Sequence, residues 1–96
     1  MDGFEKFVHL VIEALRKARE LRAFALDSDS KAKAAKLMER VQKSRETMEA
    51  LNQAASFNGK GLDKITLDNA LGRLIETMDG VNRELDELLA KAKGEK

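Results

Sequence analysis

His9 is the only histidine in the chain, and Glu13 follows it by four residues. On a helix that spacing puts both side chains on one face, where they would hold a metal ion if further donors joined them. None does. There is no second His, no repeated Glu-x-x-His unit and no Cys to supply a thiolate or a nucleophile. His9 therefore reads as a solvated surface residue, and neither a metal nor an organic cofactor is expected. Glu84, Asp86 and Glu87 cluster near the C-terminus with Arg83 and Lys91 close by. A general acid–base pair needs an apolar pocket to shift its pKa values, and a mixed-charge run of this kind reads instead as a solvated helix face. Gly59-Lys60-Gly61 lacks the length and the Ser/Thr of a phosphate-binding loop and reads as a turn. No catalytic residue is assigned, and the expectation is a protein that is not an enzyme.

The most specific charged feature is basic. Residues 16–45 hold ten Lys and Arg against four Asp and Glu, although the whole chain carries only +1. Within that stretch Lys33, Lys36, Arg40 and Lys43 recur at helical spacing. Such a stripe can follow a phosphate backbone, so these four residues are candidate anion or nucleic-acid contacts. It equally suits a solvated face or a match to acids on a neighbouring helix. No aromatic residue interleaves with it to stack on bases. For a protein partner the candidate contacts are Phe24, Met48, Phe57 and Met78, two aromatic anchors and two adaptable thioethers, each of which also has an ordinary core reading.

The elements that must position these residues are helices. Proline is absent, the four aromatic residues are all Phe, and Ala, Leu, Lys, Glu, Arg and Met dominate. In the first segment, about 3–26, Phe4, Phe7, Val11, Ala14, Ala18, Leu21 and Ala25 alternate by three and four, with Val8, Ile12 and Leu15 widening the stripe. Asp2 with Glu5 suggests a capping box. The second segment, about 30–56, carries a narrower seam of Ala34, Leu37, Val41, Ser44, Met48, Leu51 and Ala55. The third, about 63–92, is the strongest: Leu67, Leu71, Leu74, Met78, Val81, Leu85, Leu88 and Ala92, flanked by Ala70, Ile75 and Leu89. Asp63 or Thr66 suits its N-cap. Gly72 and Gly80 inside it permit close approach of another helix, at a cost in helix stability.

The first seam cannot run into the second. Continued past Ala25 it would place Ser28 and Glu39 in the core, so the stripe slips at Asp27-Ser28-Asp29-Ser30, residues that favour caps and turns. A continuous helix with a skipped heptad is the alternative. The second break is Phe57-Asn58-Gly59-Lys60-Gly61, where Gly59 or Asn58 can end a helix. This aromatic-x-Gly turn resembles that of the small secreted helical hairpins of the WxG-motif family, which would imply a two-helix secreted protein. The Trp and the Tyr-bearing tail motif of that family are absent, and the turn lies past the midpoint.

One domain of 96 residues is expected, an all-α antiparallel three-helix bundle with coiled-coil-like heptad seams and a frayed tail at 93–96. No run approaches the roughly 18 apolar residues of a membrane span. The acidic opening stretch does not read as a signal peptide, so the expected location is the cytoplasm. The functional expectation is an interaction module, an adaptor, chaperone-like protein or self-associating scaffold. It would bind another protein's helix or a second copy. The alternative is a nucleic-acid accessory protein using the basic stripe.

Overall fold

The computed structural model describes residues 3–58 and 64–94, with side chains for 3–54 and 65–94. It shows three helices: α1 (Gly3–Leu21), α2 (Ser28–Asn58) and α3 (Lys64–Ala92). No strand occurs among the described residues. The chain is an all-α three-helix bundle, drawn out to 50 × 22 × 16 Å.

The break between α1 and α2 comes earlier than the sequence pattern predicts. Helix α1 stops at Leu21 rather than near Leu26. The next three N–H groups reach back only three residues: Arg22 to the Arg19 carbonyl, Ala23 to Glu20 and Phe24 to Leu21, at 3.1–3.3 Å. This is the tightened turn that ends many helices. The reason is tertiary. By leaving the helix, the chain lays Phe24 and Leu26 against the core, while Ala25, an expected seam residue, is exposed. Helix α2 then begins two residues before Ser30. Asp27 caps it: its Oδ1 accepts the Ser30 N–H at 2.7 Å, and its carbonyl accepts the Lys31 N–H at 3.0 Å. The two segments are separate helices, and the skipped-heptad alternative is excluded.

The core follows the seams. Phe7, Val11, Ala14 and Leu21 of α1 meet Leu37, Val41 and Met48 of α2, and Leu74, Met78, Val81, Leu85, Leu88 and Leu89 of α3. Ser44 is buried in the α2 seam, as its position requires. Helix α3 ends at Ala92, and Gly94 just beyond it has a φ of 80° that only glycine adopts readily; its N–H reaches the Lys91 carbonyl at 3.1 Å. Thr66 lies inside α3 and so is not its N-cap. Asp2, Asp63 and the turn residues Gly59, Lys60 and Gly61 lie outside the described residues, as do residues 95 and 96.

Register is read from cross-helix contacts. Gly3 lies beside Leu71 and Ile75, the Asn82 amide donates to the Leu10 carbonyl, and Lys17 pairs with Asp86 at 3.0 Å. Both sets of numbers rise together, so α1 and α3 are parallel. Arg40 pairs with Glu84 at 3.2 Å, and Lys33 and Lys43 share hollows with Glu87 and Glu76, so α2 and α3 are antiparallel. Because α1 starts opposite Leu71, the first two turns of α3 run on past it. Helices α1 and α2 both pack mainly on α3 and touch each other least. Between α1 and α2, the pair in least contact, a corner of the bundle is left open.

Candidate functional site

The open corner is lined by two helices for a plain geometric reason. The apolar residues of α1 cover more arc than one neighbour can bury. Phe7, Val11 and Ala14 point into the core, and Val8 sits about 100° further round from Phe7. Val8 therefore faces α2, which stands too far off to cover it. Phe4 is 47 % exposed, Val8 38 % and Ile12 57 %. These residues, expected to belong to the core stripe, form instead an exposed apolar strip that runs toward half-buried Leu15.

Across from the strip, α2 presents Arg45, Met48, Glu49 and Asn52. Together the two walls enclose a groove of about 430 Å³, floored by Phe7, Val11 and Met48. A second hollow of about 460 Å³ lies toward the other end, between Ala18 of α1, Arg22 just beyond that helix, and Lys31, Ala34 and Met38 of α2. There the connection between the helices partly fills the corner with Phe24 and Leu26. The groove is thus stoppered at one end by the chain itself and open along the three turns from Phe4 to Leu15.

The three candidate protein contacts whose side chains are described do not form one exposed surface. Met48 is buried and lies on the groove floor. Phe24 is half-buried in the stopper rather than an exposed anchor. Met78 has no exposed surface at all and holds α3 in the core, so it is corrected from contact to core residue. The side chain of Phe57 lies outside those described. Arg45, Glu49 and Asn52 gave no signal in the sequence, since each is an ordinary polar residue on an outer arc. Val8 and Ile12 did give one, an apolar arc wider than a single helix contact requires.

The basic stripe lies along α3. Arg40 gives its charge to Glu84, and Glu87 and Glu76 lie near Lys33 and Lys43; Lys36 is exposed. His9 is exposed on α1, and no group of three or more His, Cys or carboxylate residues among the described residues is placed to hold a metal ion. Among the described residues, three carboxylate or guanidinium groups have displaced pKa values, all by hydrogen bonding or pairing at the surface. Hydrogen bonding to Arg16 holds the Glu13 carboxyl below its ordinary range, and the same contact raises Arg16. The Ser30 N–H, then the Ser30 hydroxyl and Lys91, hold Asp27 low. None of these groups lines the groove. No helix among the described residues is long and apolar enough to cross a membrane.

No protein-family model matches the chain, and no curated protein or solved structure matches it.

Proposed function

We propose that this chain is a non-enzymatic interaction module that takes the apolar face of a partner helix into the corner between α1 and α2. One observation carries the reading: Phe4, Val8 and Ile12 lie exposed in line on a helix whose other face is core, opposite a wall that stands apart from them. Apolar side chains so aligned present on the order of 300 Å² to water. Contiguous patches of that size on small proteins often mark binding sites. A helix is the occupant of matching shape, because the open groove spans about 17 Å, or three turns. Such a helix would complete a four-helix arrangement. The nucleic-acid reading has less support, since acids of α3 lie beside most of the basic stripe.

The test is a titration of the isotope-labelled chain with a designed amphipathic peptide of four turns, with Leu on one face and Gln on the other. The amides of Val8, Ile12, Leu15, Met48 and Glu49 should shift together, and Ile12→Glu should abolish the shifts without lowering the melting temperature. Absence of any shift in that region at millimolar peptide would overturn the proposal.

A further inference from the structure

We draw no further inference here: the strongest candidate, the apolar groove between α1 and α2 lined by Phe4, Val8, Ile12 and Met48, belongs to the site already described, and nothing in the structure shows what covers it.

Discussion

Three glycines on two helices should answer the same substitution differently, and the difference tests the packing directly. Gly72 and Gly80 lie in the interior of α3, and a methyl group added at either meets no atom within 4 Å. Neither has a positive φ. Close approach of another helix, one reason the sequence offers for them, is therefore not what the bundle uses them for. Alanine should recover the helix propensity that glycine gives up, about 0.8–1 kcal/mol at each site, largely by restricting the unfolded chain. Eight residues of helix separate the two by about 12 Å, so the effects should add to roughly 1.6–2 kcal/mol. For a domain of this size that is about 7–15 °C in melting temperature. Gly3 is the control. There an added methyl lies 2.6 Å from Leu71 Cδ2 and 3.2 Å from Leu71 Cγ, so Leu71 must move, and no gain is expected. The assay is reversible thermal unfolding by circular dichroism, with urea melts to check that the m-value is unchanged. Destabilisation by Gly72→Ala or Gly80→Ala would refute the reasoning, since it would mean that the space beside these glycines is occupied. Equal stabilisation at all three sites would refute the close approach of α1 to α3.

Asn82 is buried between α1 and α3. Its amide donates to the Leu10 and Met78 carbonyls at 3.0 Å each, but its Oδ1 has no partner. Both carbonyls lie within helices and have main-chain donors, so Asn82→Leu should change stability by less than about 1 kcal/mol, because it also removes the orphaned oxygen. Its cost should appear instead as loss of a single α1–α3 register, read as broadened amide signals; a loss above about 2 kcal/mol in urea melts would show that the amide bonds do more than set register. Asp27 predicts an acid dependence. Its folded-state pKa lies below the ordinary value of 3.8, so its contribution is complete above that value and fades as pH falls through the lowered one. Thermal melts from pH 6 to pH 2 should show Asp27→Asn, which keeps the cap oxygen without the charge, losing less stability across the acid range than the parent; parallel curves would exclude the linkage.

Much of the bundle was legible in the residues themselves. The α3 seam from Leu74 to Leu89 is buried as spaced, because a leucine every three or four residues leaves a helix only one face to bury. The middle of the α2 seam, from Leu37 to Met48, is buried too, Ser44 included. The Asp27–Ser30 run announced a helix boundary because those side chains bond to nearby backbone, and Asp27 does so. What local pattern could not supply was the distance between helices. Whether Val8 and Ile12 are core depends on how closely α2 approaches α1, and that is set by both helices choosing α3. The same holds for the end of α1: nothing local stops a helix at Leu21, and it stops because Phe24 and Leu26 are worth more against the core than as further helical turns. Periodicity decides which face of a helix is apolar, since that depends on one chain segment. Only the tertiary structure decides which part of that face is covered, since covering it takes a second.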